Sequence, residues 1–209
     1  MSASLDQLSV RRSGRVLCLG LAPLWIGAVV AGFMVLRRFD GTPGAEASSP
    51  ARWPAASSIA IDPELPTLLV FAHPRCPCTS ATIEDLNRLL SRVADRVRTV
   101  VVFYSDPSLG ADWVHSATYT AAVDIPGISV VEDDDGATAR LFGVQTSGQV
   151  LLYDRNGRLI FAGGITPGRG EPGDNEGSRS IHTLLAGGTA PPSTPVYGCR
   201  LLSPLEADP

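Results

Sequence analysis

No lysine occurs in the 209 residues, and arginine supplies all 17 basic side chains. No fold requires that choice; it is a matter of coding bias and carries no functional meaning. A basic surface is also lacking. Residues 39–209 hold 12 Arg against 20 Asp and Glu, a net of −8, whereas residues 1–38 hold five Arg against Asp6 alone. An acidic soluble part excludes nucleic acid as a partner, because binding a phosphate backbone needs concentrated positive charge. Charge of either sign is missing from Val16 to Leu36, 21 residues reading VLCLGLAPLWIGAVVAGFMVL. At about 1.5 Å per residue this run crosses the roughly 30 Å hydrocarbon core of a bilayer. Pro23, Gly20, Gly27 and Gly32 would be costly in a soluble helix but are tolerated in a membrane one, which disfavours a buried core helix.

A cleaved signal peptide is the rival reading of this run, since Ala45-Glu46-Ala47 has the small-x-small form and Arg11-Arg12 weakly echoes a twin-arginine signal. The apolar run is long for such a segment, however, and Arg37-Arg38 intervene before any cleavage site, so a retained anchor is expected. Arg11, Arg12 and Arg15 before the helix against Arg37 and Arg38 after it lean toward an inside N-terminus. The expected organisation is a cytoplasmic segment 1–15, a transmembrane helix 16–36, a Pro/Ala-rich tether 37–65, a folded domain 66–187 and a tail 188–209 carrying Cys199. The folded part would then lie in the periplasm or at the cell exterior. An oxidising compartment suits two closely spaced cysteines and a third near the C-terminus. Cys18 falls within the span, where packing is its expected role.

Residues 40–66 contain five prolines among small residues and show no apolar period, which reads as an extended tether. At Thr67 the character changes. TLLVFAH is a continuous apolar run of strand length, fit for a buried central strand. PRCPC follows, then a helix in which Ile83, Leu86, Leu89, Leu90 and Val93 recur near every 3.6 residues, with Thr79 or Ser80 as its cap. TVVVFY (99–104) completes a βαβ unit and so a parallel pair. Further on, the pattern predicts a short helix over 112–121, a strand over 128–131, a brief helix over 137–142 and a hairpin whose Asn156-Gly157 turn joins VLLY to RLIFAGG. A Gly-rich stretch (163–177) precedes a last helix over 178–186.

FAHPRCPCTSATIEDL resembles the strand, active-site turn and first helix of thioredoxin-like proteins, and FGVQTSGQVLLYDRNGRLIFAGG resembles their second half. The likeness covers about residues 66–187 and is nearest to membrane-tethered TlpA-like and RedB-type relatives of the peroxiredoxin and thioredoxin superfamily. It implies an α/β fold with a central mixed β-sheet flanked by helices, and thiol–disulfide oxidoreductase activity on protein thiols and disulfides outside the cytoplasm. Two departures stand out. The family motif C-x-x-C is absent: with Pro77-Cys78 aligned on its Pro-Cys end, Arg75 takes the place of the first cysteine and Cys76 is displaced by one. Where relatives read Gly-Thr-Pro, this chain reads Thr146-Ser147-Gly148, so Gly148 replaces the cis-proline that holds substrate backbone and keeps metals off the dithiol.

A thiolate is the working nucleophile, and a strand-to-helix turn favours it through the free N–H groups and dipole of the helix start. Arg75 beside Cys76 adds to this. Cys76 and Cys78 are the expected reacting dithiol, Cys76 attacking a substrate disulfide and Cys78 resolving the mixed disulfide, with Cys199 as a further catalytic candidate; Arg75, Ser147 and Gly148 are expected to meet substrate. Two cysteines one residue apart close only a strained ring, which makes a labile disulfide. No cofactor is required on this reading. The alternative is a metal module, with His73, Cys76, Cys78 and Cys199 as ligands for copper or zinc. A third reading is a thiol peroxidase with Cys78-Thr79 at the Cys-Thr of a peroxiredoxin site; Arg75 and Phe71 then stand where that family has its activating Thr and upstream Pro. Two inert cysteines in an interaction domain are the bland option. No tryptophan flanks the motif. The run Glu132 to Asp135 reads as a solvated loop, and Arg169, Asp174 and Asn175 as a polar rim to the cysteines.

Overall fold

The structure is a computed structural model that describes residues 3–202, with side chains described from Leu21 onward except at Ala94 and Ala111. The chain divides into two units, residues 1–40 and 41–209. The first is one helix, α1 (Ala3–Asp40), which runs through Pro23 and ends on Arg37 and Arg38. Its part from Leu21 to Asp40 is apolar and long enough to cross a membrane. The side chains of Val16 to Gly20, Cys18 among them, lie outside those described.

In the second unit β1 (Thr67–Ala72), α2 (Pro77–Val93) and β2 (Arg98–Ser105) form the expected unit, followed by α3 (Ala117–Val123), β3 (Ile128–Asp134), α4 (Ala137–Leu141), β4 (Val150–Tyr153), β5 (Leu159–Gly163) and α5 (Glu176–Leu185). The five strands make one sheet in the order β3-β2-β1-β4-β5. β1 pairs parallel with β2 (Val70 opposite Val101) and antiparallel with β4 (Val70 opposite Val150). Every residue of β1 is buried, because a central strand has both faces covered. Alternation then sorts its side chains. Leu68, Val70 and Ala72 join Ile83, Leu86 and Leu90 of α2, Phe161 and Ile181 in one core. Leu69 and Phe71 join Val100, Val102, Phe142, Tyr153 and Leu201 in the core on the opposite face.

Several boundaries differ from the sequence pattern, each for a local reason. α2 begins at Pro77, two to three residues before the expected cap, since proline's fixed φ suits the first helical position. β3 extends into the acidic run: Asp133 is buried, and its carboxylate accepts from the backbone N–H groups of Thr138 (2.6 Å) and Ala139 (2.9 Å) at the start of α4. The expected solvated loop is therefore partly a helix clamp. α5 starts at Glu176, with the Asn175 side chain accepting from Ser178 N–H at 2.7 Å. The proline-rich segment 41–66 has neither helix nor strand, yet it is laid on the domain rather than hanging free. Its hydrogen bonds run Gly44 N–H to Val196 O, Ser48 N–H to Gly143 O and Trp53 N–H to Gly157 O. Trp53 packs edge-on against both Phe142 and Tyr153, with ring centroids 5.1 Å apart in each case.

Candidate functional site

The site starts where β1 ends. His73, Pro74 and Arg75 turn the chain, and the Cys76 N–H donates to His73 O at 3.2 Å. Cys76 is thus the last residue before the helix and Cys78 lies in its first turn. Thr79 does not cap the helix. Its hydroxyl is buried, donating to His73 O (2.9 Å) and sharing a hydrogen bond with the Ser147 hydroxyl (3.0 Å). The Ser147 hydroxyl also accepts from His73 N–H at 2.9 Å. Thr79 and Ser147 therefore rivet the active turn to the loop before β4.

That loop carries the tail. Ser147 N–H donates to Cys199 O (2.9 Å), and Leu201 N–H donates to Gln145 O (2.8 Å). Thr146 and Arg200 form an antiparallel bridge. The close approach depends on glycine, because a Cβ on Gly198 would sit 1.8 Å from Ser147 O. Upstream, the tail is tied to β5 by Ala162 N–H donating to Pro192 O at 2.9 Å. The tail thus lies back over the domain, joined to it by isolated β-bridges at Ser193 and Arg200.

The three sulfurs meet as a result. Sγ of Cys76 and Sγ of Cys199 are 2.9 Å apart, and the Sγ atoms of Cys76, Cys78 and Cys199 all lie within 4.8 Å of one another. All three are free thiols, with Cys76 and Cys78 buried and Cys199 half-buried. The Cys76 thiol is held far below the ordinary range, foremost by its hydrogen bond with Cys199 and next by that with Cys78, against the opposing effect of burial. Cys199 is pushed up, foremost by its hydrogen bond with Cys76. For Cys78 the Cys199 bond acts downward, but the Cys76 bond, burial and the Cys76 charge outweigh it, and the thiol is raised. Of the three thiols, Cys76 is the one its neighbours lower.

The other expected residues divide. Ser147 is 1% exposed with its hydroxyl committed inward, so it positions the turn and offers substrate no side chain. Gly148 has φ +88°, a conformation that favours glycine, and its N–H donates to Phe71 O at 2.8 Å. Arg75 is exposed at the rim; its Nε donates to Trp113 O (3.1 Å) and its guanidinium lies over the Trp113 ring at 5.9 Å. The His73 Nδ1 accepts from Arg75 N–H (3.1 Å), and its ring stacks on Tyr104 with centroids 5.5 Å apart. His73 is not among the side chains whose ligand atoms cluster; the group consists of the three cysteines. Trp113 and Tyr104 are the residues that sequence reasoning misses. Trp113 reaches the motif from 38 positions away, so no local signal marks it. Arg169 does reach the site, its Nη1 donating to Gly198 O at 2.7 Å. Asp174 and Asn175 instead line a cavity between α2 and α5 with Asp85 and Arg88.

A buried β1, a cysteine-bearing turn into α2, a parallel β2 and an antiparallel β4–β5 hairpin followed by α5 make one recognisable plan. The fold is thioredoxin-like. No family model matches the chain, and no curated protein does. Among solved structures, a hypothetical protein of Sinorhizobium meliloti aligns at 18% identity and TM-score 0.58 over 78% of this chain and 96% of its own. An uncharacterized conserved protein from Geobacillus kaustophilus aligns at 18% identity and TM-score 0.61 over 80% of this chain and 100% of its own. A secreted Mycobacterium tuberculosis disulfide oxidoreductase gives 14% identity and TM-score 0.42 over 59% of this chain and 82% of its own. The likeness is one of fold.

Proposed function

We propose that the chain is a membrane-anchored thiol–disulfide redox protein whose domain works outside the cytoplasm and whose reacting pair is Cys76 and Cys199. The observation that carries this is the 2.9 Å approach of the two sulfurs, which leaves under about 1 Å to close before a disulfide of about 2.05 Å is made. The Cys76 thiolate attacks one sulfur of a substrate disulfide. That S–S bond breaks, one substrate thiolate departs and a mixed disulfide forms. Cys199, deprotonated as it attacks, displaces the second substrate thiol from Cys76 and closes the Cys76–Cys199 disulfide. Two electrons have moved from the protein dithiol to the substrate disulfide; the reverse sequence oxidises a substrate dithiol. Assigning resolution to Cys199 rather than to Cys78 avoids the strained ring of a Cys-Pro-Cys disulfide.

Peroxidase chemistry at Cys78 is disfavoured, because that thiol is raised where a peroxidatic cysteine must be lowered. Trapping tests the proposal. Membranes holding the full chain with Cys199→Ser are expected to accumulate mixed disulfides with protein thiols, and Cys76→Ser to accumulate none. Equal trapping by both variants, or none together with no insulin reduction by the unaltered chain, overturns it.

A further inference from the structure

The redox reading uses two of the three sulfurs and leaves Cys78 without a task. Its place is nevertheless fixed. Cys78 sits in the first turn of α2, largely buried, with its Sγ within 4.8 Å of both the others. An ion about 2.3 Å from each of three sulfurs in one plane holds them about 4.0 Å apart. That spacing lies between the 2.9 Å of Cys76 and Cys199 and the 4.8 Å bound on the whole set. We propose that the reduced chain binds one monovalent copper ion through the sulfurs of Cys76, Cys78 and Cys199.

The donor set selects the metal. Among the described residues no histidine or carboxylate belongs to the cluster, and His73 is turned into its stack with Tyr104. Structural zinc is almost always four-coordinate, which three sulfurs do not supply. Soft thiolates with no hard oxygen donor select Cu⁺. The elements that bring the ligands together are anchored independently of any ion: the helix start by Thr79 and Ser147, and the tail by its backbone bonds to Gln145 and Ser147. A preformed site loses less ordering entropy on binding. Arg169, held to the tail at Gly198 O, brings positive charge toward a cluster of thiolates.

Binding and electron transfer then exclude one another. A Cys76–Cys199 disulfide leaves one thiolate, so oxidation of the pair by a substrate disulfide expels the ion. Copper binding itself does not rest on the redox reading, since a chain that reduces no disulfide still presents three sulfurs.

The test is anaerobic titration of the reduced full chain, in detergent, with Cu⁺ against a competing Cu⁺ chelator. The expected result is one ion per chain, with affinity lost at least about 100-fold in each of Cys76→Ser, Cys78→Ser and Cys199→Ser. Cys18→Ala is expected to leave binding unchanged, and the chain oxidised beforehand to bind none. X-ray absorption of the unaltered copper-loaded chain is expected to give three sulfur scatterers, a readout that needs no variant to fold. No ion retained, full affinity in Cys199→Ser or Cys78→Ser, a two-sulfur shell, or Zn²⁺ held in preference to Cu⁺ overturns the copper site. Failure of the trapping experiment with copper bound as described would instead remove the redox function and leave this site standing.

Discussion

With the Cys199 Sγ 2.9 Å away and hydrogen-bonded to it, Cys76 ionises below the ordinary thiol range, and alkylation reads that directly. An ordinary thiol of pKa about 8.5 reacts about tenfold faster per pH unit on the way up. Cys76 is expected to show a flat rate from about pH 5 to pH 8, being already thiolate throughout. Cys199→Ala removes that hydrogen bond, so the Cys76 pKa rises, and its alkylation rate at pH 6 should fall by tenfold or more; an unchanged profile contradicts the assigned cause. Ser147→Ala makes a different prediction. Its hydroxyl serves His73 N–H and Thr79, and leaving those groups unsatisfied costs about 1–3 kcal/mol, measurable by urea unfolding of the full chain's domain transition. Loss of substrate affinity without loss of stability would return Ser147 to the substrate-binding role its sequence position suggests. Cys76 and Cys78 are legible in the sequence because a strand, a turn and a helix announce themselves locally. The inward turn of Ser147 and the arrival of Trp113 beside Arg75 are not, since both are set by contacts far along the chain.

The tail is held on the loop before β4 by two backbone hydrogen bonds and one tight glycine. Gly198→Ala puts a Cβ where Ser147 O already stands, so the tail must lift. The expected outcome is at least about tenfold faster alkylation of Cys199 and a Cys76 pH profile returned toward an ordinary thiol, with a stability loss of about 1–3 kcal/mol. Normal Cys76 reactivity in that variant would show that the tail does not control the thiolate. Among the elements, β1, α2, β2 and the β4–β5 hairpin are readable because their apolar periods and the Asn-Gly turn are strong local signals. The tail is only half readable. Its Gly, Pro, Ser and Thr composition predicts an extended course, but its pairing with residues 145–147 depends on backbone groups, which every residue carries alike. The same holds for segment 41–66, whose prolines predict extension and whose docking through Trp53 has no periodic signature.

On the proposed reading the apolar helix anchors the chain and the folded domain carries the chemistry. The stretch Leu21–Asp40 is long and apolar enough to span a bilayer, so the full chain should stay with membranes through alkaline carbonate washing. In intact cells a membrane-impermeant thiol reagent should label domain cysteines once the chain is reduced; labelling only after lysis would place the domain on the cytoplasmic side. Neither result bears on which sulfurs react, and that is decided by counting thiols. When the full chain is equilibrated across a series of thiol–disulfide buffers, the unaltered chain and Cys78→Ser are both expected to lose two thiols together in one reversible transition. Cys199→Ser is expected to lose none over that range. A two-thiol transition that survives in Cys199→Ser and vanishes in Cys78→Ser would contradict the Cys76–Cys199 couple and restore the Cys-Pro-Cys disulfide in its place.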